Sequence, residues 1–159
     1  MKEAPIPSNE KERLSEVQRL GILGSTNDER FDILTREAAT ELEVPICIVS
    51  IIDKDREWYK SCVGLSLKEG RRATSFCGHA MLAQEVFIVE DTLKDERFFD
   101  NPQVVKSPKI RFYAGAAIRS RGFPVGVFCI KDFVPRKLNL YQISKLMGYA
   151  QKAEKYLSN

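Results

Sequence analysis

The chain's single histidine stands two residues after a cysteine, in the stretch T-S-F-C-G-H-A-M that runs from Thr74 to Met81. A thiol near an imidazole could be a nucleophile with its base, a metal or chromophore attachment point, or the first turn of a packed helix. The residues after Cys77 favour a helix capped by Thr74 or Ser75, and positions i and i+2 of a helix point to different sides. Cys77 and His79 are therefore predicted not to form a catalytic pair, and no catalytic residue is predicted.

The same helix start predicts another chemistry. Cys77 would lie in the first turn, where the helix dipole and the free N–H groups favour a thiolate and attract anions. In one interpretation Cys77 and His79 face a ligand pocket. In the other, Cys77 packs in the core and His79 contacts a loop.

The four cysteines are Cys47, Cys62, Cys77 and Cys129. They are far apart and mostly in apolar surroundings, which is typical of reduced core cysteines in a cytoplasmic protein. One histidine with scattered cysteines makes a poor zinc site, so neither a metal nor a resident cofactor is predicted.

Composition narrows the function classes. The chain has 159 residues, 43% hydrophobic and 30% charged, with a net charge of +3. Its basic residues are dispersed rather than gathered in a stripe, which argues against nucleic-acid binding. There is no apolar run of membrane-spanning length and no apolar signal-peptide core at the N-terminus, so neither a membrane protein nor an exported one is predicted.

Three long helices are predicted to surround these residues. Asn9 with Glu12 and Thr26 with Glu29 have the spacing of capping boxes that open the first two helices. The last helix runs from Leu140 to Leu157, with apolar residues at helical spacing.

The remaining apolar runs predict strands separated by turns. They are Ile46–Ile52, Glu57–Val63, Val86–Val89, Arg111–Ile118 and Pro124–Ile130, with the short helix from Thr74 to about Gln84 between the second and third. Helices, then mostly antiparallel strands, then a helix predict the α+β class in one domain, 1–159. Residues 1–24 form its N-terminal helix region and 139–159 its C-terminal helix.

The connection from Asp91 to Lys109 is too long for a compact domain unless it is functional, and the usual functional form is a lid or a pocket wall. The ligand-binding candidates in and beside it, which join Cys77 and His79, are Asp91, Arg97, Phe98, Asn101, Arg111 and Tyr113. Each has a structural alternative: Asp91 as a turn cap, Arg97 as a pin onto a nearby acid, and Tyr113 as core. Two arginines and a helix start against one carboxylate favour an anionic or zwitterionic small molecule.

Six blocks of sequence, spread over nearly the whole chain, carry a family resemblance. They are E-R-L-x-x-V-x-x-L-G-I-L, E-R-F-D-x-L-T-R, V-P-I-x-x-V-S-I-I-D-x-D-R-x-W-Y-K-S, S-F-C-G-H-A, V-x-D-T-x-x-D-E-R-F-x-D-N-P-x-V and I-R-F-Y-A-G-A. In these blocks and their spacing the chain resembles GAF domains, small-molecule-sensing and dimerising modules related to PAS domains, and in particular those of bacterial signalling proteins.

The resemblance implies a central antiparallel sheet of five to six strands with flanking helices, the N- and C-terminal helices packed together. It also implies a pocket between one sheet face and the connecting segments. The implied function is a non-catalytic sensory module that binds a small molecule. The terminal helices are expected to form a homodimer, and the effector to be a further domain or a partner protein.

Departures from the family pattern bear on the ligand. The N-K-F-D-E signature of cyclic-nucleotide-binding members is missing, and Gly78 separates Cys77 from His79, where bilin-binding relatives have the two adjacent. These features argue against a cyclic nucleotide and against a bilin. The alternative function is an enzyme like the GAF-type free methionine-(R)-sulfoxide reductases, which use pocket cysteines.

Overall fold

The sheet is built around strand β1, Ile46–Ile52, whose seven residues are all buried. A computed structural model describes residues 1–158. The other strands are β2 (Arg56–Val63), β3 (Glu69–Arg71), β4 (Phe87–Val89), β5 (Phe112–Ser120) and β6 (Phe123–Asp132). The strand order is β3-β2-β1-β6-β5-β4, and every neighbouring pair is antiparallel. The predicted α+β fold with an antiparallel sheet of up to six strands is confirmed.

The two faces of the sheet carry different covers. The helices are α1 (Glu10–Leu20), α2 (Glu29–Glu41), α3 (Cys77–Ala80), α4 (Pro102–Val105) and α5 (Leu140–Leu157). Helices α1, α2 and α5 pack on one face, which we call the helix face, and form its apolar core with alternate strand residues such as Cys47 and Phe128. The opposite face, which we call the site face, carries residues such as Ile48, Tyr113 and Cys129 and is covered by α3 and the connection 91–109.

Two helix starts differ from their predictions. Asn9 precedes α1 with φ −98° and ψ 26° and makes no side-chain capping bond, because this is not the extended backbone that a capping side chain requires. Helix α2 is capped by Asp28, whose carboxylate accepts the Arg30 N–H at 3.0 Å, and not by Thr26. The Thr26 carbonyl instead accepts a hydrogen bond from the Lys60 ammonium.

The short helix and the long connection also differ from the prediction. The helix expected up to Gln84 is a single turn, α3, followed by irregular backbone. The connection expected to be irregular contains α4 and a 3-10 turn at Thr92–Lys94. Strand β3 was not predicted, because three polar residues at a sheet edge give no alternating pattern. Within residues 1–158, no helix combines the length and the apolar character that crossing a bilayer requires.

Candidate functional site

Aromatic rings fill the site face where the sequence predicts a pocket. The Phe76 ring stacks on Phe98 at a centroid distance of 4.5 Å and on Tyr113 at 5.1 Å. His79 meets the Phe98 ring edge-on at 4.9 Å. Because Phe76, Phe98 and Tyr113 are fully buried, a ligand could enter this face only if α3 or the connection 91–109 moves outward.

The side chain of Cys77, the first residue of α3, is buried between α3 and the sheet and contacts two groups of the sheet. The Tyr113 hydroxyl donates to its Sγ at 3.1 Å, and the Cys129 Sγ lies 3.7 Å away. Burial raises the pKa of the Cys77 thiol well above its usual value. The expectation that the helix start favours a thiolate is wrong for this conformation, because desolvation outweighs a dipole of one turn. The Gly78 N–H is moreover taken by the Ser75 hydroxyl at 2.9 Å.

His79 points to different partners from Cys77. Its Nε2 lies 3.2 Å from the Lys2 carbonyl, and burial lowers the pKa of its imidazole. The two side chains thus contact separate groups, as expected for positions i and i+2.

Three predicted site residues organise the connection 91–109. The Asp91 carboxylate accepts the Leu93 N–H at 3.1 Å and caps the 3-10 turn. Asn101 caps α4 and donates through Nδ2 to the Thr74 carbonyl at 3.0 Å, and Arg111 donates to the Val104 carbonyl at 2.9 Å. Each of the three has a structural partner in this conformation.

Arg97 lies at the rim of the site. Its guanidinium makes a bidentate pair with Asp95, at 3.0 and 2.7 Å, and lies 4.7 Å from the centroid of the Phe87 ring. The side chain is 38% exposed. The hydrogen bonds from Arg97 hold the pKa of Asp95 below its ordinary value.

Two buried charges on the site face were missed. Glu57, 1% exposed, accepts hydrogen bonds from the Tyr59 hydroxyl at 3.0 Å and the Ser50 hydroxyl at 3.3 Å. Lys131, also 1% exposed, donates to the Gln103 side-chain oxygen at 3.2 Å. Burial alone would lower the pKa of Lys131, but the negative charge of Glu57 and the nearby thiols raise it instead.

Sequence signals for these two charges existed. Lys131 interrupts the apolar run F-C-I-K-D at the end of β6, and Glu57 follows the turn D-K-D-R at the start of an alternating strand. A charge inside a strand that reads as buried is a candidate site residue, because buried charges need partners.

The N-terminal residues, which precede α1, cover the rim of the site. The Lys2 N–H donates to the Arg97 carbonyl at 3.0 Å, and the Ala4 N–H to the Ala73 carbonyl at 3.3 Å. A β-carbon added at Gly78 would lie 2.5 Å from that of Ala4, so glycine permits this close approach. Residues 2–4, which we call the N-terminal strap, therefore bridge α3 and the connection 91–109.

Two surface clefts lie beside α5. One of about 500 Å³ separates the C-terminal ends of α1 and α5 and is lined by Arg19, Arg119 and Lys155 among others. Another of about 300 Å³ lies between β5 and α5. Across residues 1–158, no cluster of three or more histidine, cysteine or acidic side chains is arranged to hold a metal ion.

Comparison with known proteins gives a consistent family. The sequence-family model that describes GAF domains matches residues 26–157 of this chain. A cyclic di-GMP phosphodiesterase of Pseudomonas aeruginosa is 39% identical over 133 residues, which cover 83% of this chain and 23% of the relative. The chain thus spans about a quarter of the length of that relative.

Solved structures show the same fold at low identity. The GAF domain of an Acinetobacter phosphoenolpyruvate-protein phosphotransferase superposes with a TM-score of 0.69 at 18% identity, covering 92% of this chain and 93% of that one. A type II free methionine-R-sulfoxide reductase of Thermoplasma acidophilum superposes with a TM-score of 0.67 at 11% identity, covering 81% and 90%.

Proposed function

The chain belongs to the GAF domain family, and we propose that it is a non-catalytic sensory module that binds an anionic or zwitterionic small molecule on its site face. The observation that carries the proposal is the pair of buried charges, Glu57 and Lys131, on the face that α3 and the connection 91–109 cover. Each of these charges brings a desolvation cost that packing alone does not require.

The charges indicate the class of ligand. Lys131 has one side-chain hydrogen bond, to Gln103, although an ammonium group can donate three. Arg97 at the rim is partly exposed and could exchange Asp95 for a carboxylate or a phosphate. Glu57 offers an acceptor for an ammonium group. A small molecule with an acidic group and a basic group would satisfy all three side chains.

Binding requires the cover to open, because aromatic side chains fill the site face. The cover consists of a one-turn helix and a connection with little regular structure. Such elements are drawn from the less stable parts of a fold. We propose that the ligand displaces the Phe76 and Phe98 rings and that the resulting shift of α3 is the signal.

The proposed module regulates a separate activity. The similarity to the Pseudomonas aeruginosa phosphodiesterase covers 23% of that protein, which supports an input domain whose effector is another domain or a partner protein. In the regulatory role, ligand binding changes the effector equilibrium only as far as the ligand prefers one conformation of the module.

We further propose a homodimer through the terminal helices. In α5, Leu146, Tyr149 and Ala150 face the core. Leu140 and Met147 lie on a neighbouring stripe with 85% and 43% exposure. A partner helix would bury this stripe.

Light scattering at micromolar concentration tests the dimer, with an expected mass of twice 18.1 kDa. Met147→Glu should give a monomer, whereas Lys152→Gln, which changes the net charge equally on another side of α5, should leave the dimer. A monomer of the unchanged protein at high concentration would contradict the proposal.

Metabolite screening by thermal shift tests ligand binding. A ligand at about 100 times its dissociation constant should stabilise the fold by roughly 2.7 kcal/mol. The screen should contain amino acids, organic acids and phosphorylated compounds together with neutral analogues. A shift produced only by neutral apolar compounds would contradict the assigned ligand class.

Enzymatic reduction of free methionine sulfoxide is the alternative function. The presence of two thiols, Cys77 and Cys129, 3.7 Å apart on the site face favours it, because the resemblance implies enzymes that use pocket cysteines. Against it stand the protonated, buried state of Cys77 and the distinct contacts of His79. Incubation with methionine sulfoxide and a thiol reductant should give no turnover, and a turnover lost in Cys77→Ser would establish the enzyme instead.

A further inference from the structure

Two thiols of the chain are close enough to react with each other. Cys77 Sγ in α3 and Cys129 Sγ in β6 lie 3.7 Å apart, although 52 residues separate them in sequence. Both side chains are buried at the contact between α3 and the sheet. We propose that Cys77 and Cys129 are a reversible oxidation site, at which a peroxide or a disulfide-forming oxidant links α3 covalently to the sheet.

Formation of a disulfide between Cys77 and Cys129 requires little movement of the two sulfur atoms. A disulfide has an S–S distance of about 2.0 Å, so the two sulfur atoms must approach by somewhat less than 2 Å. Cys129 is fixed inside β6, between its partners β1 and β5, whereas α3 is a single turn joined to irregular backbone. The approach can therefore come from α3 while the sheet stays in place.

The other two cysteines do not offer such a pair. Cys47 belongs to the helix face and Cys62 packs against the site face. They stand on the neighbouring strands β1 and β2, where Cys47 pairs with Val63 and Cys62 with Ile48. Side chains on opposite faces of a sheet cannot be joined by a disulfide.

The chemistry balances with hydrogen peroxide as the oxidant. The Cys77 sulfur attacks one peroxide oxygen, the O–O bond breaks, and the departing oxygen takes up the thiol proton and leaves as water. The Cys129 sulfur then attacks the Cys77 sulfenic acid, the S–O bond breaks, and a second water leaves. The two thiols lose two electrons, and the peroxide is reduced to two molecules of water. A thiol reductant reverses the reaction.

Local structure makes this reaction conditional. In the closed site Cys77 is protonated and out of contact with solvent, so it is inert. Opening of α3 exposes the Cys77 sulfur to the oxidant. Closing returns it to Cys129, which lies 3.7 Å away in the closed site. The rate of oxidation therefore reports how often the cover opens.

A disulfide between Cys77 and Cys129 would stabilise the fold and restrict the movement of α3. A bond between α3 and β6 closes a loop of 52 residues, which constrains the unfolded chain and holds α3 against the sheet. We expect the melting temperature of the oxidised protein to rise by roughly 5–10 °C. The oxidised form should also bind the proposed ligand more weakly, a second readout that rests on the proposed function, whereas the disulfide itself does not.

The experiment treats the whole chain with hydrogen peroxide or diamide, blocks remaining thiols with iodoacetamide under denaturing conditions, and maps peptides by mass spectrometry. We expect one intrachain link, between the Cys77 and Cys129 peptides, with the mass of two hydrogen atoms lost and restored by dithiothreitol. Cys62→Ser removes the half-buried thiol and should leave the link unchanged. Cys129→Ala should abolish it.

The same peptide mapping can also contradict the proposal. A link through Cys62, a disulfide between two molecules, or oxidation of single cysteines to sulfinic acid without a link would each overturn it, as would full alkylation after oxidant treatment. Because the link is mapped in the unaltered sequence, a folding defect in a cysteine variant cannot hide the result. Absence of any ligand in the metabolite screen would leave the mapped link, and so this inference, intact.

Discussion

Arg97 donates two side-chain hydrogen bonds, of 3.0 and 2.7 Å, to the carboxylate of Asp95, two residues before it. Its guanidinium also lies over the Phe87 and Phe98 rings at 4.7 and 5.4 Å. The side chain is thus locally satisfied and partly exposed at the same time. Such a residue can exchange one carboxylate for another, and Asp95 would keep its hydrogen bond from the Arg97 backbone N–H at 2.9 Å.

Replacing Arg97 by alanine should separate binding from folding. Loss of a partly exposed ion pair and its ring contacts should lower the free energy of unfolding by about 1 kcal/mol. The thermal shift given by the screened ligand should disappear. Arg36→Ala is the control, because Arg36 pairs with Glu29 at 2.7 Å on the exposed side of α2, away from the site face.

Thermal melts with and without ligand measure both effects. Arg36→Ala should keep the full ligand shift. If Arg97→Ala unfolds the protein, Arg97 is a structural pin of the connection 91–109, and the rim of the proposed site loses its main anion-binding group.

Local sequence patterns predicted the strands and helices, whereas long-range contacts determine the surroundings of the site residues. The apolar run Ile46–Ile52 and the stripe of Leu140–Leu157 were recognisable, because burial of a strand or a helix side leaves a period in the sequence. The capping box of α5, Asn139 with Gln142, obeys the same local rule that fails at Asn9. Next to Asn9, Glu10 makes a long-range ion pair with Arg72, a contact that no local pattern encodes.

The site residues could be predicted by type but not by partner. Tyr113 and Cys77 were candidates, yet nothing in the sequence indicated that Cys129, 52 residues further along, would lie 3.7 Å from Cys77. Glu57 and Lys131 were missed because strand patterns were interpreted for burial and not for charge. The surroundings of each charge depend on pairing between strands, which sets Glu57 opposite Ile52 and Lys131 opposite Ile46 and which single-sequence periodicity does not encode.

Glu57 should be more important for stability than an exposed glutamate in the next strand. Glu57→Ala would leave the Tyr59 and Ser50 hydroxyls without their acceptor and Lys131 without a nearby negative charge. We expect the free energy of unfolding to fall by about 2–4 kcal/mol. Glu69→Ala in β3 is the control, because the Glu69–Arg56 pair is exposed and should contribute less than about 1 kcal/mol.

A double-mutant cycle measures the link between the buried charges. In Glu57→Gln with Lys131→Met both charges are removed, so neither remains buried alone. The double variant should be more stable than the sum of the single changes by about 1–3 kcal/mol in urea unfolding. Additive effects would show that Glu57 and Lys131 do not interact, and would contradict the effect of Glu57 on the pKa of Lys131.

Gly78→Ala should loosen the N-terminal strap. The added β-carbon would lie 2.5 Å from that of Ala4 and 2.8 Å from the Ser75 hydroxyl oxygen, too close for either atom to stay in place. We expect the Lys2 and Ala4 amides to exchange hydrogen for deuterium faster. Adding Ala4→Gly should reverse part of the effect by removing the carbon that collides.

The matched control for that glycine is in α5. A β-carbon at Gly148 meets nothing within 4 Å, so Gly148→Ala should stabilise the helix by about 0.5–1 kcal/mol and leave the strap amides unchanged. Unchanged amide exchange in Gly78→Ala would show that α3 moves instead of the strap.

Glu16 should contribute to the loss of stability in acid. Hydrogen bonds from Arg19 at 2.7 Å and from the Ser120 hydroxyl lower its pKa from 4.5 to about 2. Because the folded pKa lies below the unfolded one, the stabilisation is complete above pH 4.5 and is lost as the pH falls towards 2. In Glu16→Gln the melting temperature should therefore fall less steeply over that range than in the unaltered protein. Glu12→Gln, an exposed change in the same helix, should retain the original slope; equal slopes in all three proteins would contradict the assignment.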